Sequence, residues 1–157
     1  HETGVWFELT NLVIPGENDS DAEFNEMTSW VAGELGPDVP MHFTAFHPDW
    51  KMMDHPRTPP TTLIRAREIA MKNGIRYAYV GNVHDKAGSS TFCHHCGHIL
   101  IGRDWYQLSD WNLDANGACT HCGTHCAGVF QPRPGTWGPK RQPVRLVAPS
   151  AGSAPAS

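Results

Sequence analysis

Two matched knuckles, Cys93-His94-His95-Cys96-Gly97 and Cys119-Thr120-His121-Cys122-Gly123, constrain this chain more than any other feature. Two residues between the thiols let one tight turn aim both sulfurs at a single point. The glycine that follows can take positive φ, which turns backbone N–H groups back toward the sulfurs. Two such knuckles supply the four ligands of a closed tetrahedral site, so Cys93, Cys96, Cys119 and Cys122 are expected to bind one metal ion. Two disulfides, or free thiols that happen to be close, explain the repeated design less well. Zinc is the default for four thiolates in a small β-ribbon, and iron in the same cage gives a rubredoxin-like centre. Four thiolates leave no open coordination position, so the metal reads as structural. Cys126, beside His125, is the fifth cysteine and reads as a bystander.

Between the knuckles, Ile99-Leu100-Ile101 and Trp105-Tyr106-Gln107-Leu108 have strand character and bracket an expected turn at Gly102-Arg103-Asp104. A ribbon of this size has almost no core. Metal binding would therefore supply much of its folding free energy, on the order of 10 kcal/mol for a structural zinc.

The first half reads differently. The apolar run from Val5 to Ile14 predicts a strand ending at Pro15-Gly16. Ser20 and Glu23 make a capping box, and Phe24, Met27, Val31 and Leu35 follow at helical spacing until Gly36-Pro37. Val39 to Phe46 predicts a second strand, then a loop rich in Pro, His and Met runs from His47 to Pro60. Within that loop Met52-Met53 reads as an anchor onto the underlying sheet. Thr58-Pro59 opens a second helix carrying Leu63, Ile64, Ala66, Ile69 and Ala70, closed by Asn73-Gly74, and Ile75 to Val80 is a third strand. Residues 5–82 thus spell β-α-β-α-β, which calls for parallel strands in a doubly wound sheet or a (β/α) barrel. Three strands and two helices leave open edges and a bare sheet face. With the abrupt start at His1, this predicts the C-terminal piece of a longer protein.

Composition narrows the function classes. A net charge of −4 argues against a broad nucleic-acid surface. All five cysteines lie between Cys93 and Cys126, and neither a signal-like leader nor an apolar run of membrane-spanning length is visible, which predicts a reducing, cytoplasmic setting without membrane contact. Ten histidines are unusual, and five of them crowd the knuckles, where solvated tips are the ordinary reading. After Gly128 the chain turns Pro- and Gly-rich. Residues 131–147 read as an extended arm, locally basic through Lys140, Arg141 and Arg145 and anchored by Trp137; residues 148–157 read as a disordered, low-complexity tail.

Several motifs in order carry a resemblance. Glu8-Leu9-Thr10-Asn11-Leu12-Val13-Ile14-Pro15-Gly16-Glu17-Asn18-Asp19-Ser20, Met41-His42-Phe43-Thr44-Ala45-Phe46-His47-Pro48 and Tyr77-Ala78-Tyr79-Val80-Gly81-Asn82-Val83 resemble the C-terminal half of a radical SAM enzyme. The likeness is to the AmmeMemoRadiSam group, itself similar to pyruvate formate-lyase activating enzymes. It continues through Cys93 to Cys122, Gly135-Thr136-Trp137-Gly138 and Pro143-Val144-Arg145. One departure is His94, where that family's first knuckle usually has Pro after its first Cys.

The resemblance implies a fold class of α/β: the C-terminal portion of a TIM-type partial barrel (residues 1–85), followed by a small β-rich four-cysteine zinc-ribbon or rubredoxin-like domain (residues 86–130). It implies a parent enzyme that binds S-adenosylmethionine and a [4Fe–4S] cluster, whose cleavage of S-adenosylmethionine releases a 5′-deoxyadenosyl radical. The family holds its cluster with a C-x-x-x-C-x-x-C motif near its N-terminus, which this chain lacks; the order Cys119, Cys122, Cys126 is wrong for it. No catalytic residue is therefore expected here, and the chain alone should be inactive. His47 resembles a histidine near the S-adenosylmethionine ribose, and Pro15-Gly16 resembles the turn beneath that site; Thr10, Asn11 and Asn82 are further candidates for the pocket. The implied partners are a substrate of unknown class, the companion proteins of the AmmeMemoRadiSam system and an electron donor. Two other classes stand beside this reading: a zinc-ribbon module binding protein or nucleic acid, and a rubredoxin-like electron carrier.

Overall fold

The computed structural model describes residues 3–136 and 138–140. Strand β1 (Leu9–Val13), β2 (Met41–Ala45) and β3 (Ala78–Gly81) form a parallel sheet in the order β1-β2-β3. Helix α1 (Asp21–Trp30) and its continuation to Leu35 link β1 to β2, and helix α2 (Pro60–Lys72) links β2 to β3. The register sets Leu9 beside Met41 and Met41 beside Ala78. Alternation then sends Val13, Met41, Phe43, Ala45 and Val80 toward the helices. There they meet Phe24 of α1 and Leu63 and Ala66 of α2, with the Phe24 and Phe43 rings edge-on at 5.9 Å.

Local signals explain the helix ends. Ser20 Oγ accepts the Glu23 N–H at 3.3 Å and donates to the Glu23 carboxylate at 2.8 Å. The expected box thus closes hydroxyl to carboxylate rather than through the Ser20 N–H. After Trp30 the helix widens into a π-helical stretch, Val31–Leu35, ending at Gly36 with φ +91°. At α2, Pro59 is the N-cap, and Gly74 closes the helix at φ +98°.

Beyond β3, a short helix α3 (Lys86–Ser89) leads into an antiparallel ribbon of β4 (Thr91–Phe92), β5 (Ile99–Asp104) and β6 (Gln107–Trp111). The expected turn at Gly102-Arg103-Asp104 is corrected here. The chain turns at Trp105-Tyr106, with Trp105 at φ +54°, and Gly102 lies inside β5. A Cβ on Gly102 would collide with Ser109 and Asp110 of β6, so glycine serves close strand approach at a register shift. The ribbon also has more core than its length suggests. Leu100, Ile101, Leu113, Cys93, Cys119 and Cys126 pack with Tyr77, contributed by the segment entering β3.

The loop from His47 to Pro60 crosses the C-terminal edge of the parallel sheet. Met52 and Met53 are 39% and 67% exposed, so they face solvent rather than anchoring the loop. Buried Thr58 does that work instead, through hydrogen bonds to Phe46 and Val13. Among the described residues, no helix is long and apolar enough to cross a membrane. Trp137, Arg141, Arg145 and the 148–157 tail lie outside the described residues.

Candidate metal centre

Each knuckle is built by the same three backbone devices. The Gly97 N–H donates to Cys93 O at 2.9 Å, and the Gly123 N–H to Cys119 O at 2.8 Å. The first cysteine of each knuckle donates its own N–H across the turn, Cys93 to His98 O at 2.8 Å and Cys119 to Thr124 O at 2.9 Å. Gly97 and Gly123 sit at φ +72° and +76°, a conformation costly for other residues.

The two turns face one another. Cys93 Sγ lies 3.6 Å from Cys122 Sγ, Cys96 Sγ lies 3.8 Å from Cys119 Sγ, and all four sulfurs are within 4.8 Å of one another. A tetrahedron with metal–sulfur bonds of about 2.3 Å has edges of about 3.8 Å. These separations fit one ion held by four thiolates, and they are too long for disulfides; all five cysteines are free. Cys93 and Cys119 are buried on the ribbon core, while Cys96 and Cys122 face outward. Zinc and iron both suit this donor set.

Proton affinity is uneven around the cage. The Thr124 hydroxyl, 3.3 Å from Cys122 Sγ, and then the Thr124 N–H hold the Cys122 thiol down to about 5. At Cys96 the bond from the His98 backbone also favours thiolate, but partial desolvation and the three neighbouring thiols outweigh it and push that thiol up to about 12. Cys122 therefore ionises more readily than Cys96. Metal binding displaces the remaining protons.

Cys126 stays outside the cage. It is buried beneath Tyr77, and burial raises its thiol pKa. Thr124 and Tyr77 are the residues that sequence reasoning passed over. Thr124 stands to Cys122 as His98 stands to Cys96, so the repeat itself marked its position. The Tyr77 hydroxyl accepts the Ala127 N–H at 3.1 Å and lies 3.3 Å from His94 Nδ1, pinning the first knuckle to the parallel sheet. The tips are ordered in part: His98 and His121 stack across the two knuckles at 5.1 Å.

The other expected site residues lie elsewhere. Pro15-Gly16 and His47 each follow a strand end, and Val13 pairs with Ala45, so they share the C-terminal edge of the sheet. Asn82, just past β3 at φ +59°, joins them and donates to Ala45 O at 3.4 Å. Gly16, at φ +82°, has open space where a Cβ would project, and its N–H is held by Asp19. His47 is exposed, with Nδ1 2.8 Å from Pro48 O. Thr10 is exposed on the sheet's other face, and Asn11 turns toward Met27 on the helix side.

The chain is similar to an uncharacterized protein of the archaeon Methanocaldococcus jannaschii, at 41% identity over 121 residues. The matched region is 76% of this chain and 36% of that relative. The chain thus spans about a third of the length of the curated relative it matches. No family model matches the chain, and no solved structure matches it.

Proposed function

We propose that this chain is the C-terminal part of a radical SAM enzyme of the AmmeMemoRadiSam type, its partial TIM-type barrel followed by a structural zinc ribbon. The observation that carries the reading is the parallel sheet whose C-terminal edge gathers Pro15-Gly16, His47 and Asn82, the edge at which such folds place their chemistry. Among the described residues β1 has a partner strand on one side alone. This supports a barrel that continues beyond β1 in a longer parent. The greater length of the archaeal relative supports the same reading.

In that parent, S-adenosylmethionine and a [4Fe–4S] cluster would supply radical chemistry, and the residues that bind the cluster lie outside this chain. The contribution of these residues is to position. An Nδ1–H on His47 donating to Pro48 O leaves the Nε2 lone pair to accept a ligand hydroxyl, as a ribose would offer. Gly16 keeps side-chain bulk away from the same edge. Cys93, Cys96, Cys119 and Cys122 hold zinc as a structural ion, far from open coordination chemistry. An electron donor and the companion proteins of the AmmeMemoRadiSam system are the proposed partners.

Anaerobic reconstitution of the full-length gene product tests this. The expected result is a brown protein with four zinc-held thiols that forms 5′-deoxyadenosine from S-adenosylmethionine under a low-potential reductant, with H47A weakening S-adenosylmethionine binding. A full-length product lacking an upstream C-x-x-x-C-x-x-C and forming no cluster overturns it. A red protein that bleaches on reduction, with iron at the knuckles, would move the rubredoxin-like reading forward.

A further inference from the structure

One cavity among the described residues lies neither at the knuckles nor at the C-terminal strand edge. It opens between the helix-free face of the parallel sheet and the ribbon, with a volume of about 540 Å³. That is within the usual size of small-molecule sites. Glu8 and His42 meet in it at 2.7 Å, and the His42 ring stacks on Tyr79 at 5.0 Å. The Tyr79 hydroxyl is 2.9 Å from Thr91 Oγ1.

Arg103 enters from the ribbon, its guanidinium 5.6 Å from the centre of the Tyr79 ring. It donates to Thr91 Oγ1 at 2.6 Å and to Ser89 O at 3.3 Å, both neutral acceptors. No carboxylate pairs with it among the described residues. Trp111 lines the same cavity, and its Nε1–H is buried with no acceptor. A half-buried cation without a counter-ion has an anionic oxygen as its complement. The remaining surface includes Trp6, Leu108 and Phe130, which suit an apolar or aromatic body.

We propose that this cavity binds a small aromatic carboxylate, its anionic group held by Arg103 and its ring against the aromatic walls, Trp111 among them. The site stands apart from the radical SAM reading and is tested on the zinc-loaded chain. Para-(trifluoromethyl)benzoate serves as the probe, followed by fluorine NMR, with para-(trifluoromethyl)benzamide as its neutral counterpart. The benzoate is expected to bind at millimolar concentration or below and to shift the Trp111 indole N–H resonance, assigned with W111F. The amide should bind at least about tenfold more weakly, because a charge-assisted hydrogen bond is lost. R103Q should reduce benzoate binding to the amide's level while zinc content stays unchanged. If R103Q loses its zinc, the benzoate-to-amide ratio and the indole shift in the unsubstituted protein decide. No binding, equal binding of acid and amide, or an unmoved indole resonance overturns the proposal.

Discussion

Thr58 shows how much one side chain can organise. It is 1% exposed, accepts the Phe46 N–H at 2.9 Å and donates its hydroxyl to the Val13 carbonyl, while its own N–H reaches Phe46 O at 3.1 Å. One hydroxyl therefore satisfies polar groups at the ends of both β1 and β2, where the ladder has run out. Thr58→Val keeps the shape and removes both bonds, leaving a buried donor and a buried acceptor unpaired. It is expected to cost about 2–4 kcal/mol of stability, measured by denaturant unfolding. A loss below about 0.5 kcal/mol would show that water takes over the hydroxyl's role. In the sequence Thr58 reads only as the residue before a helix-opening proline, because a bond between positions 45 residues apart has no local signature.

At the scale of elements, the knuckles and the hairpin between them depend on the ion. The turns have their own backbone bonds, but the ribbon core is small and includes two of the ligand thiols. Stripping the bound metal with a strong chelator, or replacing Cys119 with Ser, is expected to unfold residues 91–126 while the helix-covered sheet keeps its far-ultraviolet signal. The check is loss of chemical-shift dispersion in ribbon amides alone. Ribbon amides that stay dispersed without metal would contradict it. Much of this element level was legible beforehand. Apolar spacing located the faces of α1 and α2, and the repeated C-x-x-C-G located the metal ligands. The hairpin turn was not legible, since Gly102 carries a turn-like signal but serves close contact with Ser109 and Asp110. The π-helical end of α1 was hidden because Val31 and Leu35 keep helical spacing whichever way the backbone winds. The cavity had no linear trace at all, its polar groups coming from the segment before β1, from β2, β3 and the ribbon.

Across the whole molecule, two cores meet at the tyrosines flanking Ala78. Tyr77 packs with the ribbon core, and Tyr79 reaches Thr91 and lies beneath Arg103. Burial raises both phenol pKa values above the ordinary 10.0, at Tyr77 with help from the Cys126 thiol. The unfolded chain loses these protons near pH 10 while the folded chain keeps them. Stability from these groups is therefore complete below pH 10 and declines as pH rises above it. Denaturant midpoints recorded between about pH 8 and pH 11 should fall at the alkaline end, and less steeply in Tyr77→Phe. An alkaline fall unchanged by that substitution would place its origin elsewhere.

The matched turns also have a kinetic meaning. Each knuckle is a two-toothed claw closed by its own backbone, so an ion caught by Cys93 and Cys96 is already half bound before the second claw arrives. The second claw is tethered through 22 intervening residues, and its capture step depends on local concentration within one molecule rather than on how much protein is present. Loading should thus run in two stages, a fast bimolecular pickup and a concentration-independent clasp, with the hairpin folding as the second claw closes.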